Sequence, residues 1–248
     1  MTMTLHPTAP LGALLALGGA LLILVTRQGT LAGALAGFVV ALLAALGLGA
    51  AALLPLAIFV LGSGMVTRIG RRKKENLGTA EGNRGRRGPA HVAAKLSLPA
   101  LASALAILGA APLSILTLSY VATLAGAFAD TAATELGPVI GGPAVAFHGG
   151  MLRSMPHGTT GGMSLAGFAA SAAAAITVAM GALARGLFAS PSAVWVAAAA
   201  GFLASVLESL LAGTSLGARI GHFGRNVFLS VASAGLALTA RAWGWAGS

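Results

Sequence analysis

Five acidic residues stand against fifteen lysines and arginines in the 248-residue chain, and three of those acids fall in or at the ends of long apolar stretches. They are Asp130, Glu135 and Glu208. An ionised carboxylate at membrane depth costs about 2.5–3.5 kcal/mol on insertion scales, so such groups mark function by default. Asp130 and Glu135 belong to AFADTAATELGP (127–138), with Thr131 and Thr134 between them. On a continuous helix Asp130 shares a face with Thr134, and Thr131 shares one with Glu135. The two acids are then about 140° apart around the axis, awkward for chelating one ion from a straight helix. Gly137-Pro138 is expected to end the helix, and a distorted last turn would swing Glu135 back. Hard oxygen ligands beside hydroxyls suit Mg²⁺, which is held by one or two carboxylates plus substrate phosphates. The plainer alternative is that each carboxylate is salt-bridged to a neighbouring cation for helix packing.

Three further segments carry polar groups of the right kind. RSMPHGTTGGMSLAG (153–167) is a Gly/Thr/Ser loop entering an apolar helix. Backbone N–H groups of Gly158, Gly161 and Gly162 can converge on an anion, and the following helix N-terminus adds its positive end. Thr159, Thr160 and Ser164 supply hydroxyls and Arg153 a guanidinium. The spacing is not that of a Walker A loop. A glycine turn with a serine cap also serves ordinary helix entry. LESLLAGTSLGARIGHFGRN (207–226) places Glu208 and Ser209 near Arg219, His222, Arg225 and Asn226. LGSGMVTRIGRRKK (61–74) places Ser63, Thr67 and Arg68 where an apolar stretch meets a basic one. Lys95, one turn into the next apolar stretch, either snorkels to the interface or reaches a phosphate. The histidines, among them His91, His148, His157 and His222, form no ligand pattern, and the absence of cysteine excludes thiolate sites, disulfides and cysteine nucleophiles.

The elements that must position these residues are membrane helices. Only 8% of residues are charged, 57% are hydrophobic, and the mean hydropathy is +0.90. A soluble domain carries about 25% charged residues. The expected fold is all-α: a polytopic transmembrane helix bundle forming one domain over 1–248. Apolar stretches at 11–26, 29–48, 50–67, 92–110, 113–136, 162–183, 192–213 and 226–245 predict about eight spans, or seven if the second and third form one kinked element. With 36 glycines and 5% aromatics, thin helices are expected to pack backbone to backbone. The start, MTMTLHPTAP, lacks a positive n-region, so the first stretch reads as a retained helix.

The formal charge of +10 is concentrated in one basic, Gly-rich segment, 68–91, read as a cytoplasmic loop. Topology and anionic membrane lipid explain that charge better than nucleic acid does. Glu75 and Glu81 lie in this loop and are expected to be solvated. With eight spans and the N-terminus outside, thirteen of the fifteen basic residues face the cytoplasm and only Arg185 and Arg241 do not. The three apolar-stretch acids then share the cytoplasmic ends of their helices, a convergence that did not enter the choice of orientation. Trp243 and Trp245 fall at the outer face as an aromatic belt.

DTAATELG, PHGTTGGMSLAG and ESLLAGT together resemble an integral-membrane family that includes transmembrane protein 19 and the phytyl-phosphate kinase of tocopherol synthesis. SGMVTRIG and GRRGPAHVAAKLS fit the same pattern, and the resemblance covers about residues 30–235. More distantly it extends to dolichol kinase, phytol kinase and phosphatidate cytidylyltransferase. Asp130, Thr131, Glu135, Gly137, Pro156, Gly158, Thr159, Gly161, Gly162 and Ser164 match the family motifs. The chain departs at Thr134, where serine is usual, at Glu208 and Ala212, where aspartate and glycine are usual, and at Asn226, which lacks a following aspartate. The resemblance implies Mg²⁺-dependent phosphoryl transfer from a nucleoside triphosphate, CTP above all, to an isoprenyl (phytyl, geranylgeranyl or farnesyl) monophosphate. Asp130, Glu135 and Glu208 would hold the metal. Gly158–Ser164 would cradle phosphate, joined by Ser63, Thr67, Arg68, Thr131, Thr134, Ser209 and Asn226. Lys95, Arg68 or Arg153 would stabilise developing charge. CTP-dependent cytidylyl transfer to a lipid phosphate uses the same parts. From a different class, a small-solute or ion transporter also fits broken helices with intramembrane acids. A homodimer is left open.

Overall fold

The computed structural model describes residues 5–246 except 81, 83, 84, 149, 157 and 189. Glu81 and His157 thus lie outside the described residues. Among the described residues eight apolar helices appear where hydropathy places them. They are α1 (Ala9–Val25), α2 (Leu31–Gly47), α3 (Leu53–Arg68), α5 (Pro89–Ile107), α6 (Leu113–Ile140), α7 (Leu165–Ala184), α8 (Pro191–Ala212) and α9 (Ser215–Ala242). Five segments are long and apolar enough to cross a bilayer alone: Ala50–Arg68, α5, α6, α7 and α8. Helices α1 and α2 are apolar but have 17 residues each. The protein is a polytopic helical membrane bundle.

Local chemistry sets the helix ends. Thr30, Ser164 and Thr214 each accept a hydrogen bond from the backbone N–H three residues on, and proline opens α1, α5 and α8. Helix α2 and helix α3 are separate elements, joined through Gly49 at φ +87° and a 3₁₀ turn over Ala50–Ala52. Gly221, at a positive φ of 65° with ψ −174°, breaks α9 six residues after its start.

Helix α6 is the axis. Its residues from Tyr120 to Ala129 are buried without interruption, and it packs against α3, α5, α7, α8 and α9. At 28 residues it is about 42 Å long, longer than the ~30 Å hydrocarbon layer. Its neighbours approach through small residues. A Cβ added to Gly201 of α8 would lie 2.5 Å from the backbone nitrogen of Gly126 in α6. No side chain fits there, and the two backbones are in direct van der Waals contact.

Two sequence expectations change. The 137–161 region is not simply loop, and the fold is not purely helical. Strands β1 (Ala144–His148), β2 (Met151–Ser154) and β3 (Met163–Ser164) form an antiparallel sheet ordered β2-β1-β3. The alternation of Ala-Val-Ala-Phe-His between a proline and two glycines is a strand signal too short to register against hydropathy windows. Gly137-Pro138 does not end α6, which runs on to Ile140. Pro138 lacks the N–H that would bond the Thr134 carbonyl, and α6 absorbs that loss before it ends at Ile140.

The basic segment is also more ordered than a solvated loop. It contains a short helix, α4 (Arg71–Asn76), and its far end is tied to the α1–α2 turn by Thr30 N–H to Arg87 O (3.1 Å) and Arg87 N–H to Gln28 O (3.0 Å).

Candidate functional site

The turn after α1, the basic segment, the sheet and the α8–α9 turn gather at one end of the bundle. Lys73 donates to Val139 O (2.8 Å), and Arg68 donates to Thr26 O. Gly161 and Gly213 are pressed against Ser209 O and Phe147 O so closely that neither position accepts a Cβ. Arg241 lies at the opposite end, donating to Ser114 Oγ (3.0 Å). Between the gathered segments lies a cavity of about 590 Å³.

All three apolar-stretch acids line this cavity, each with its own cation. Lys95 is buried at 3% exposure and donates to Asp130 Oδ2 (2.8 Å), Thr131 Oγ1 (2.8 Å) and Ala127 O (3.3 Å). It therefore reaches into the cavity and does not snorkel. Asp130 Oδ1 has no hydrogen-bond partner among the described residues. Glu208 Oε1 pairs with Arg225 Nε at 3.1 Å, off the angle of a hydrogen bond. Glu135 differs. Its Oε1 accepts from Thr67 (2.8 Å) and its Oε2 from the buried Lys74, so both oxygens are engaged.

The metal expectation is corrected accordingly. Among the described residues no three acidic or histidine side chains form a metal-holding group. Glu135 also borders the cavity, but both its oxygens are already engaged, by Thr67 and Lys74, and α6 runs on to Ile140, so no distorted turn returns it to Asp130. Asp130 and Glu208 retain oxygens for a cation completed by ligand phosphates, the arrangement Mg²⁺ commonly takes. The donor set fits that ion.

The glycine loop forms another wall. Gly158, Thr159, Thr160, Gly161, Gly162 and Ser164 all line the cavity, with Gly158 and Gly161 at φ +90° and +77°. Two hydroxyls are committed locally: Thr159 donates to Pro156 O, and Ser164 caps α7 by accepting from Gly167 N–H (3.1 Å). Thr134 and Ser209 also line it.

Several expected residues stand elsewhere. Arg153 is exposed on β2, turned from the cavity by the sheet, and Arg68 serves the α1–α2 turn. Ser63 is fully buried in the bundle. Thr67 acts through Glu135. Asn226 lies behind His222, donating to its carbonyl (2.9 Å) and contacting its Nε2 (3.1 Å). His222 is itself on the cavity wall.

Sequence reasoning missed Lys74, Thr79, Arg87, His91, His222 and the hydrogen-bonded pair Ser171–Ser205 (2.9 Å). His91 Nε2 is buried without a hydrogen-bond partner. The available signal was position: His91 and His222 sit at helix ends on the same side as the acids. The inner cavity is apolar at Met163, Phe168 and Val206. A separate apolar groove of about 550 Å³ lies across α6, between α3 and α7.

Residues 13–222 match the family described as integral membrane protein DUF92, and that span contains the whole cavity apart from Arg225. The chain belongs to the DUF92 family. One relative is the uncharacterized membrane protein sll0875 of Synechocystis sp., 36% identical over 163 residues, or 65% of this chain. This chain spans 62% of that relative's length. No solved structure matches.

Proposed function

We propose that this DUF92 protein transfers a phosphoryl group from CTP or another nucleoside triphosphate to an isoprenyl monophosphate, giving the diphosphate, as the phytyl-phosphate kinase resemblance implies. The observation that carries the reading is one cavity in which two carboxylates with open oxygens face a glycine loop, three cations and an apolar interior. Each part has a task in phosphoryl transfer, where catalysis is mostly positioning and charge stabilisation. Asp130 and Glu208 would hold Mg²⁺, which supplies neutralisation of the triphosphate charge when bound.

The cations explain how the empty cavity tolerates its charges. Lys95 and Arg225 neutralise Asp130 and Glu208 until phosphate enters, and then have phosphate oxygens within reach. The glycine loop and the N-terminus of α7 present backbone N–H groups to the same anion. In the reaction an oxygen of the lipid phosphate forms a bond to the γ-phosphorus as the bond to the β-phosphate oxygen breaks, releasing the nucleoside diphosphate. The acceptor is already an anion, so no side chain is required as general base. Phe168, Met163 and Val206 suit the first isoprene units, with the rest of the tail in the bilayer.

The charge asymmetry between the bundle's ends supports a cavity facing the cytoplasm and an N-terminus outside, where soluble nucleotide meets membrane lipid. The test is a thermal-shift screen of purified protein against CTP, ATP and GTP with Mg²⁺, with and without farnesyl, geranylgeranyl and phytyl monophosphate. Stabilisation by a nucleotide that depends on Mg²⁺ and increases with a prenyl phosphate is expected. No shift with any combination contradicts the reading.

A further inference from the structure

Lys74 is one of four consecutive basic residues, yet only its side chain is buried, at 1% exposure. Its ammonium donates to Val66 O (3.2 Å), Thr67 O (2.7 Å) and Glu135 Oε2. Its three donors meet three acceptors and, unlike Lys95, it does not line the cavity. Glu135 in turn has both oxygens filled, and its exposure is 5%. A buried ion pair is costly to make and gives little net stability, so what it fixes is geometry.

The geometry here is that of the basic segment. Gly70 at φ +62° turns the chain after α3 so that α4 lies across the end of α6. Residues just beyond α4 form part of the cavity: Gly78, Thr79 and Ala80 line it, and Arg87 and His91 do so further along. Thr79 lies over the glycine loop so closely that a Cβ on Gly158 would stand 2.6 Å from its Cγ2. The far end of the segment is held by the Arg87 backbone against Gln28 and Thr30. The near end is held by Lys74.

We propose that Lys74 is a positioning residue: its ion pair with Glu135 docks the start of the basic segment, from Gly70 to Ala80, onto α6 as one wall of the cavity and presents Gly78, Thr79 and Ala80 to whatever anionic ligand enters. Glu135 is the receptor for that wall and not a ligand of the reacting groups. The inference stands on the docked geometry and does not depend on which reaction the cavity performs.

Because the chain has no cysteine, single thiols report on it cleanly. Thr79→Cys reads docking through its rate of modification by a membrane-impermeant maleimide. Ser103→Cys, fully buried in α5, reads the bundle. In the Thr79→Cys background, Lys74→Met and Glu135→Gln are each expected to raise the rate about tenfold or more, as for local release of a docked segment. The double variant is expected to match either single one, since both remove one interaction. Lys74→Arg should keep the rate within about threefold, because it preserves the charge and donors. Binding of inorganic pyrophosphate by the undocked variants should weaken about threefold or more, as Thr79 and the glycine loop beside it lose their placement. An unchanged rate at position 79 in Lys74→Met overturns the proposal. Labelling at position 103 as well as 79 also overturns it, because the pair would then be a prop of the whole bundle.

Discussion

Two lysine–carboxylate pairs sit on α6, five residues apart at the acid, and their surroundings give them opposite characters. Lys95–Asp130 faces the cavity with one carboxylate oxygen uncommitted, whereas Lys74–Glu135 is closed by Thr67 and two backbone carbonyls. The turn of the helix produces the difference, since five residues carry a side chain about 140° around the axis. Asp130 meets α5, α8 and the glycine loop. Glu135 meets α3 and the basic segment. A charged pair with an open oxygen can exchange partners when a ligand arrives; a saturated pair can only hold its elements together. Burial of a carboxylate in a membrane protein is therefore not enough to name it a ligand. What distinguishes the two is how many carboxylate oxygens are already engaged: one in Asp130, both in Glu135.

The comparison breaks most readily at the sealed pair. Lys74→Met leaves a buried carboxylate unpaired and is expected to cost about 3–5 kcal/mol, read as a lowered unfolding midpoint in detergent. Lys74→Met combined with Glu135→Leu should recover most of that loss, because apolar replacement of a whole buried pair is often neutral. At the open pair the balance reverses. Asp130→Asn keeps an oxygen for Lys95, so the midpoint should move less than in Lys74→Met. Its phosphoryl transfer should fall by about 10²–10³-fold, the scale of losing one preorganised charge-stabilising group, measured as initial rate across a Mg²⁺ titration.

Smaller effects sharpen the same account. Gly201→Ala places a methyl against the α6 backbone and should cost about 1–3 kcal/mol by overpacking, without altering nucleotide preference. Arg153→Ala removes a cation on the exposed strand β2 and should change stability by less than about 0.5 kcal/mol and leave turnover unaltered. A large loss in Arg153→Ala would return that arginine to the cavity.

How much of this was legible depends on the signal each residue sends. Eight apolar stretches are hard to mistake, and the helices α1–α3 and α5–α9 fall where they do. Asp130 and Glu208 stand out because ionisable groups are rare in such stretches, and Gly158–Ser164 because glycines and hydroxyls precede a helix. Lys74 sends no such signal. In RRKK the four cations are equivalent until Gly70 turns the chain and buries one of them. Arg153 misled for the mirror reason: it borders the glycine loop in sequence, but the β1–β2 hairpin carries it to the outside. Pro138 misled because the helix bears the loss of its bond to the Thr134 carbonyl and continues to Ile140.

The most direct test of the central claim follows the label. Purified protein is given Mg²⁺, geranylgeranyl monophosphate and CTP labelled at either the α or the γ phosphorus, and the lipid product is analysed. The account predicts γ-label in a prenyl diphosphate, lost in Asp130→Asn. Transfer of the α-label with release of pyrophosphate would make the protein a cytidylyltransferase. No transfer with any prenyl phosphate, from protein that moves a solute across liposome membranes, would contradict the phosphotransferase reading outright.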